Sequence, residues 1–166
     1  MPRVGIALGS NLGDRLANLE AAREALREIA TPGEPFLQAA SYQTEPLLCP
    51  PGSPFFYNSA VEFAFDGDAF ELLELTQAVE KKLGRIGVHE RNAPRIIDVD
   101  LLYFGNEIID TEALVLPHPR ITERRFVLQP LADIRPELIL PGQTQSIREL
   151  LAALESGEPP LIRVVA

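Results

Sequence analysis

Residues 91–103, with the sequence RNAPRIIDVDLLY, pass from a polar loop into an apolar strand. Pro94 ends the loop, because a proline pushes the residue before it, here Ala93, towards extended geometry. The residues that follow are mostly β-branched or apolar, which predicts a buried strand and favours a central place in the sheet. Two acids interrupt this pattern. Asp98 and Asp100 are two residues apart, so both side chains point to one face of the strand, about 6.6 Å apart.

This pair of acids needs a compensating charge if the strand is buried. A buried carboxylate without a partner is costly, and two neighbouring carboxylates repel each other. One interpretation is an edge strand whose aspartates are solvated. We favour a divalent-metal site, because hard cations such as Mg²⁺ take oxygen ligands. Arg91 and Arg95 precede the acids, and guanidinium groups match phosphate oxygens, so the segment predicts a magnesium-bound polyphosphate.

The composition is that of an ordinary globular protein, and we expect one domain over residues 1–166. The formal net charge of -9 argues against a nucleic-acid-binding protein, because that affinity depends on a basic surface. The single cysteine, Cys49, allows no internal disulfide. No signal peptide or bilayer-spanning run is recognised, so we expect a cytoplasmic protein without a membrane partner. Six arginines nevertheless fall between residues 85 and 125, which favours a small anionic ligand: Arg85, Arg91, Arg95, Arg120, Arg124 and Arg125.

Apolar periodicity and turn residues divide the first 104 residues into six elements. The order strand, helix, strand, strand, helix, strand is the ferredoxin-like βαββαβ pattern. It predicts an α+β fold with an antiparallel sheet, helices packed on one face, and the first and fourth strands close together. The elements are a strand at Arg3–Leu8, a helix capped by Asp14, a strand at Phe36–Gln43, a strand that begins near Phe56, a helix capped by Asp68 and ended by Gly84, and the aspartate strand.

The remaining residues predict a C-terminal extension that packs on this core. A short helical piece starts at Thr122, and Phe126–Leu131 is interpreted as a packing segment. A helix is expected near Ser146–Leu154, followed by a last strand at Leu161–Val165.

Two earlier segments invite a functional interpretation. Gly9–Gly13 has the composition of a phosphate-binding loop but lacks the Lys-Ser/Thr ending of one. We therefore interpret its glycines as a tight strand-to-helix turn. Residues 84–94 form a long loop before the aspartate strand, and loops of this length inside a compact domain often act as lids.

Several side chains are candidates for ligand contacts by type and position. His118 lies between two prolines and close to three arginines, which favours a phosphate contact. Gln77 and Glu80 are three residues apart and so share a helix face. Phe56 and Asn58 stand at a loop–strand junction, where an aromatic face beside an amide suits a flat heterocycle.

These motifs together resemble the 6-hydroxymethyl-7,8-dihydropterin pyrophosphokinase family of folate biosynthesis, over essentially the whole chain. The residues around Asp98 and the segment around His118 are the most specific part of the resemblance. The matching segments are residues 9–14 (GSNLGD), 42–47 (YQTEPL), 56–61 (FYNSAV), 84–85 (GR), 91–103, 117–120 (PHPR) and 124–131 (RRFVLQPL).

The resemblance implies a monomeric ferredoxin-like enzyme that transfers the β,γ-diphosphate of ATP to the pterin hydroxymethyl group and releases AMP. It implies two Mg²⁺ ions held by Asp98 and Asp100, which form the catalytic set with Arg85 and Arg95. Contacts to ATP or its phosphates are implied for Gln77, Arg85, Arg91, Arg95, His118 and Arg124, with Glu80 near the nucleotide. For the pterin, the resemblance implies hydrogen bonds from the side chains of Thr44 and Asn58 and the backbone of Leu47, with stacking by Phe56 and Phe126.

The chain departs from this family in the loop before the aspartate strand. The family commonly has Trp-Gly where this chain has Asn92 and Ala93, and often an arginine where Gly87 stands. These departures affect the contacts that would close a lid but leave the two aspartates in place. The hypothesis is therefore that activity persists while lid closure is altered.

Two other functions are compatible with the residues alone. A kinase or nucleotide hydrolase could use the same metal pair, and would release ADP or inorganic phosphate instead of AMP. A non-catalytic ferredoxin-like binding module would retain ligand binding after Asp98→Asn, with no turnover to lose.

Overall fold

The structure of the protein, a computed structural model, describes residues 1–44, 55–84, 96–154 and 161–164. The predicted order of strands and helices is confirmed through residue 104, except that two short strands stand in place of the predicted second strand, and a C-terminal extension follows. The strands are β1 (Arg3–Ser10), β2 (Leu37–Gln38), β3 (Ser41–Thr44), β4 (Phe56–Ala64), β5 (Asp98–Phe104), β6 (Ile109–Asp110), β7 (Val115–Leu116) and β8 (Ile162–Val164). The helices are α1 (Arg15–Ile29), α2 (Ala69–Gly84), α3 (Arg125–Ile134) and α4 (Ile147–Ala153), with a 3-10 helix at Ile121–Glu123.

The main sheet is antiparallel, with its strands in the order β5-β1-β4-β3-β8 and β2 also paired with β4. The first and fourth strands of the βαββαβ pattern, β1 and β5, are neighbours, as predicted. The central place predicted for the aspartate strand is wrong, because β5 lies at the edge of the sheet. β6 and β7 form a separate two-stranded sheet.

Strand β5 is apolar although it is an edge strand, because other parts of the chain cover it. Val99 and Leu101 pack among the residues of α1 and α2, while Leu102 packs among those of α3 and α4. The segment after β7 approaches from the side, where the backbone N–H of His118 donates to the carbonyl oxygen of Leu102 at 2.8 Å. A strand covered on both faces has the composition of a central strand, which explains the error.

The single strand predicted at Phe36–Gln43 is also wrong, since two short strands occupy this region. β2 and β3 each pair with β4, and Ala39 and Ala40 interrupt the strand between them. The Ser59 hydroxyl donates to the carbonyl oxygens of Ala39 and Ala40, both at 3.1 Å. The guanidinium of Arg23 also donates to the Ala39 carbonyl at 3.4 Å. These carbonyls bond to side chains, so the strand ladder is interrupted there.

The helices cover both faces of the sheet. α1 and α2 pack on one face, as predicted, and both predicted caps are confirmed: Asp14 accepts the N–H of Ala17 at 3.1 Å, and Asp68 accepts that of Glu71 at 2.9 Å. The C-terminal extension places α3 and α4 on the opposite face. Residues 126–131, predicted only as a packing segment, belong to α3.

A buried glutamate connects the helices on this second face of the sheet to the strands. Glu62 on β4 is 1% exposed and accepts hydrogen bonds from Arg3 at 3.1 Å, from the Tyr103 hydroxyl at 2.6 Å and from Arg135 at the end of α3. The register between β1 and β5 shifts between Gly5 and Ile6, which leaves Leu102 as an additional residue. This bulge brings Tyr103 over Gly5, where a Cβ would lie 2.2 Å from the Tyr103 ring.

Candidate active site

Asp98 and Asp100 begin β5 and line the same cavity, so the alternation expected of a strand is observed. Across the β1–β5 ladder, Asp98 lies opposite Gly9 and Asp100 lies opposite Ala7. Asp98 is partly buried and Asp100 is exposed, while Val99 between them is buried against the helices. The two carboxylates therefore stand at one end of the sheet, on the face that also carries α3.

This first cavity has a volume of about 360 Å³ and is closed on one side by the sheet and on the other by the start of α3. It brings together eight of the residues that the resemblance implies for pterin, phosphate or metal. Its lining consists of Ala7, Leu8, Gly9, Thr44, Phe56, Asn58, Asp98, Asp100, Leu102, His118, Arg124, Phe126 and Val127.

One end of the first cavity combines aromatic rings with an oriented amide. Asn58 is buried, and its Nδ2 donates to the Thr44 hydroxyl at 2.6 Å. This bond fixes the amide and leaves its Oδ1 as an acceptor. Phe56 and Phe126 line the same cavity, and the Arg124 guanidinium carbon lies 5.5 Å from the centre of the Phe126 ring. Aromatic faces beside a fixed amide suit a flat, polar heterocycle.

Gly9 does not lie in a turn, and the prediction that its place is in a strand-to-helix turn is wrong. It is a residue of β1, paired with Asn58 of β4 on one side and with Asp98 of β5 on the other. The turn before α1 uses Gly13 instead, whose φ of 64° favours glycine. Gly9 therefore lies between the amide and the first carboxylate.

A second cavity of about 390 Å³ lies on the other side of Asp100. The two cavities share Asp100 and His118, so they adjoin at these side chains. Glu80 lines the second cavity, and its carboxylate accepts the backbone N–H of Val99 at 3.3 Å. The lining of the second cavity consists of Leu73, Gln77, Glu80, Val99, Asp100, Leu101, Glu112, Ala113, Leu114, Val115, His118 and Pro119.

His118 stands at this junction between the two cavities. Its Nδ1 accepts the backbone N–H of Arg120 at 3.2 Å, so in the neutral ring the proton is on Nε2. Burial lowers the pKa of His118 below its usual value of 6.5, and the positive charges of Arg124 and Arg120 lower this pKa further. The negative charge of Asp100 raises the same pKa and offsets part of the effect.

A hydrogen-bonded relay at the end of β1 was not predicted from the sequence. The buried Ser10 hydroxyl donates to the carbonyl oxygen of Ile96 at 2.6 Å, and Asn18 donates to Ser10 Oγ at 3.1 Å. Asn18 also donates to the Leu12 carbonyl oxygen at 2.8 Å. The relay holds the backbone two residues before Asp98. Ser10 ends β1 and Asn18 lies on α1, eight positions later, so no local sequence pattern marks this contact.

The donors present fit a magnesium site that is completed by its substrate. Within the described ranges, no group of three or more His, Cys, Asp or Glu side chains is arranged to hold a metal ion. Asp98 and Asp100 offer hard oxygen donors from one strand. Mg²⁺ is commonly bound by one or two carboxylates, with phosphate oxygens and water as its other ligands, rather than by a complete protein cage. The carboxylate pair fits that mode of binding.

The structure therefore divides the implied ligand residues between two places. Arg124, implied as an ATP contact, lines the first cavity with Phe126, while Gln77 and Glu80 line the second. Four implied residues, Leu47, Arg85, Arg91 and Arg95, lie outside the described residues, as does most of the 84–94 loop. In the part of the chain that is described, no helix is long and apolar enough to span a bilayer.

Comparison with known proteins gives a consistent result. Residues 5–136 match the model of the family described as 7,8-dihydro-6-hydroxymethylpterin-pyrophosphokinase. A protein of Methylorubrum extorquens, named 2-amino-4-hydroxy-6-hydroxymethyldihydropteridine pyrophosphokinase, is 40% identical over 156 residues, which cover 93% of this chain and 95% of that protein. A Bacillus subtilis protein of the same name is 45% identical over 129 residues, which cover 78% of this chain and 75% of the relative.

Solved structures agree on the fold. The HPPK-DHPS of Plasmodium falciparum, solved with pteroate, superposes with a TM-score of 0.69 over 91% of this chain and 42% of that chain. Its sequence identity is 16%, so this likeness concerns the fold alone.

Proposed function

The chain belongs to the 7,8-dihydro-6-hydroxymethylpterin-pyrophosphokinase family, and from this membership we propose where its two substrates bind. It is a diphosphotransferase of folate biosynthesis that transfers the diphosphate of ATP to 6-hydroxymethyl-7,8-dihydropterin. The pterin occupies the first cavity, the nucleoside occupies the second, and the triphosphate crosses between them beside Asp98 and Asp100. The observation that carries this proposal is that the two cavities adjoin at Asp100 and His118.

The first cavity has the groups that a pterin requires. The fixed amide of Asn58 and the hydroxyl of Thr44 can hydrogen-bond the polar edge of the ring system, and Phe56 and Phe126 offer aromatic faces. The backbone of Leu47, which lies outside the described residues, is proposed as a further contact. Bound in this way, the pterin would present its hydroxymethyl group towards the aspartates rather than towards solvent.

The triphosphate would lie beside both acidic and basic side chains. Two Mg²⁺ ions, held by Asp98 and Asp100, would draw charge from the phosphate oxygens and lower the pKa of the substrate hydroxyl. His118 donates from Nε2 to a phosphate oxygen, and Arg124 contributes a positive charge from the first cavity. Arg85, Arg91 and Arg95 are proposed as further phosphate contacts, with Arg85 and Arg95 acting on the transferred group.

The second cavity would hold the nucleoside. Leu73, Val99 and Leu101 give it an apolar wall, while Gln77 and Glu80 give it polar groups on one helix face. Glu80 is partly engaged with the backbone of Val99, the residue between the two aspartates. The helix that contacts the nucleoside is thereby connected to the strand that carries the acids.

The reaction is an in-line transfer at the β-phosphorus of ATP. The hydroxymethyl oxygen forms a bond to that phosphorus, the bond from it to the oxygen shared with the α-phosphate breaks, and AMP departs with this oxygen. The hydroxyl proton passes to solvent, and no side chain is assigned as a general base. Phosphoryl chemistry of this kind depends mainly on positioning and charge stabilisation, which the residues above can supply.

Product analysis tests the reaction and an unreactive analogue tests the site. With ATP, Mg²⁺ and the pterin, phosphorus NMR should show AMP and pterin diphosphate in equal amounts, and ADP or inorganic phosphate as product would contradict diphosphate transfer. The α,β-methylene analogue of ATP lacks the bond that breaks. With it, electron paramagnetic resonance of Mn²⁺ should count two bound ions, and a count of one would contradict the two-ion proposal.

We also propose that the protein acts as a monomer. This proposal rests on the family resemblance, which implies a monomeric enzyme. Light scattering at working concentrations tests this proposal. The single domain over 1–166 and the cytoplasmic location stay predictions.

A further inference from the structure

We propose that Gly9 is a specificity-determining residue for the pterin, because its missing side chain leaves room for the amide of Asn58. The inference rests on the placement of the pterin in the first cavity. Gly9 lines this cavity, and it is the β1 residue that lies between Asn58 and Asp98. It therefore occupies the path between the amide that would hold the pterin ring and the carboxylate that would hold the metal.

The backbone at position 9 does not itself require glycine. Among the described residues, the glycines with positive φ are Gly13, Gly33, Gly105 and Gly142, so Gly9 has a conformation that alanine adopts without strain. Within a strand, alanine should be the better residue, because glycine loses more conformational entropy on folding. The reason for a glycine at this position must therefore lie in what surrounds it.

The nearest group that a side chain would meet is the Asn58 amide. A Cβ added at Gly9 would lie 3.0 Å from Asn58 Oδ1, which is closer than ordinary van der Waals contact. The amide has little freedom to move away, because Asn58 is 6% exposed and its Nδ2 is bonded to the Thr44 hydroxyl at 2.6 Å. A methyl group at position 9 would displace Oδ1, the acceptor available to a ligand, or break the bond to Thr44.

Gly9→Ala should therefore separate folding from pterin recognition. The urea midpoint of unfolding should stay close to that of the wild type, because the entropic gain of alanine offsets the cost of displacing the amide. Binding of Mg²⁺ with α,β-methylene ATP should be unchanged. The Kd of 6-hydroxymethylpterin, measured by calorimetry in the presence of that nucleotide, should rise about tenfold or more, as expected where one methyl group misplaces a recognition contact. An unchanged pterin Kd, or equal losses for pterin and nucleotide, would overturn the inference.

A double-mutant cycle with Asn58→Ala identifies the group on which the methyl acts. Once the amide is removed, Gly9→Ala should raise the pterin Kd no further, and an additive loss would refute the inference. If Gly9→Ala fails to fold, the double variant should fold, and failure of both would also overturn it. If Asn58→Ala alone leaves the pterin Kd unchanged, the placement of the pterin is wrong. If Asn58→Ala raises the pterin Kd and Gly9→Ala does not, only the inference about Gly9 is refuted.

Discussion

Ser10→Ala tests whether the relay at the end of β1 holds β5, the strand proposed to bind the metal, in place. Ser10 is 2% exposed, and its hydroxyl is the described partner of the Ile96 carbonyl oxygen, at 2.6 Å. Loss of a hydrogen bond that leaves a buried group unpaired costs roughly 1–3 kcal/mol of the free energy of unfolding. Asn18 retains its bond to Leu12, so the lower part of this range is expected.

The loss at Ser10 should also appear in ligand binding, because Ile96 lies two residues before Asp98. If the bound ligands have to offset a free-energy cost of about 1.4 kcal/mol for ordering this backbone, the Kd of Mn²⁺ with α,β-methylene ATP rises about tenfold. Urea unfolding measures the stability, and electron paramagnetic resonance of Mn²⁺ measures the binding. Pterin binding to the nucleotide-loaded protein should change less, since Asn58 and Thr44 are untouched.

Ser146→Ala is the matched control for Ser10→Ala. Ser146 is 3% exposed and caps α4, where its Oγ accepts the N–H of Glu149 at 3.2 Å. Removal of such a cap costs about 1 kcal/mol, and Ser146 lines neither cavity. The control should therefore lose stability and keep its affinity for the metal–nucleotide complex. The reasoning is refuted if Ser10→Ala behaves in the same way as this control.

Three further predictions concern the cavities. Asp100→Asn should lower kcat by about 10²-fold or more, because charge stabilisation through a bound metal is worth several kcal/mol, whereas the exposed Asp110→Asn should not change kcat. Arg124→Ala should raise the pKa of His118, because it removes a nearby positive charge, and Asp100→Asn should lower this pKa. NMR titration of the ring protons measures both changes, in a chain with two histidines, and pKa shifts in the opposite directions would contradict the assignment. Phe126→Leu should raise the Kd of 6-hydroxymethylpterin about twofold to tenfold, the loss of one aromatic contact of roughly 0.5–1.5 kcal/mol, with no change in nucleotide affinity.

Local rules were sufficient for much of the fold. The caps at Asp14 and Asp68 depend on hydrogen bonds to residues three positions away, and the strand alternation of Asp98 and Asp100 is a property of the backbone itself. The order of elements through residue 104 followed from these short-range signals. The family resemblance then supplied candidate roles that no local pattern contains.

The errors have a common cause in contacts between distant residues. β5 looks central because α3 and α4, contributed by the C-terminal extension, cover the face that carries the aspartates. Gly9 looks like a turn residue because its neighbours Asn58 and Asp98 are far away in the sequence. The bond from Ser10 to Ile96 spans 86 positions, so no periodicity in the sequence reports it. The helix at 125–134 was missed partly because it contains Pro130, which normally argues against a helix interior.

The bulge at Leu102 affects the face of the sheet towards which the carboxylates point. Side chains before and after an extra residue are out of phase, so Tyr103 shares a side of the sheet with Asp98 and Asp100 although its number is odd. The hydrogen bond from the Tyr103 hydroxyl to Glu62, at 2.6 Å, therefore favours one register of β5 against β1. A slip by one residue would turn both acids towards α1 and α2. The direction in which the two carboxylates point is thus fixed from the opposite end of the strand, by a tyrosine that lines neither cavity.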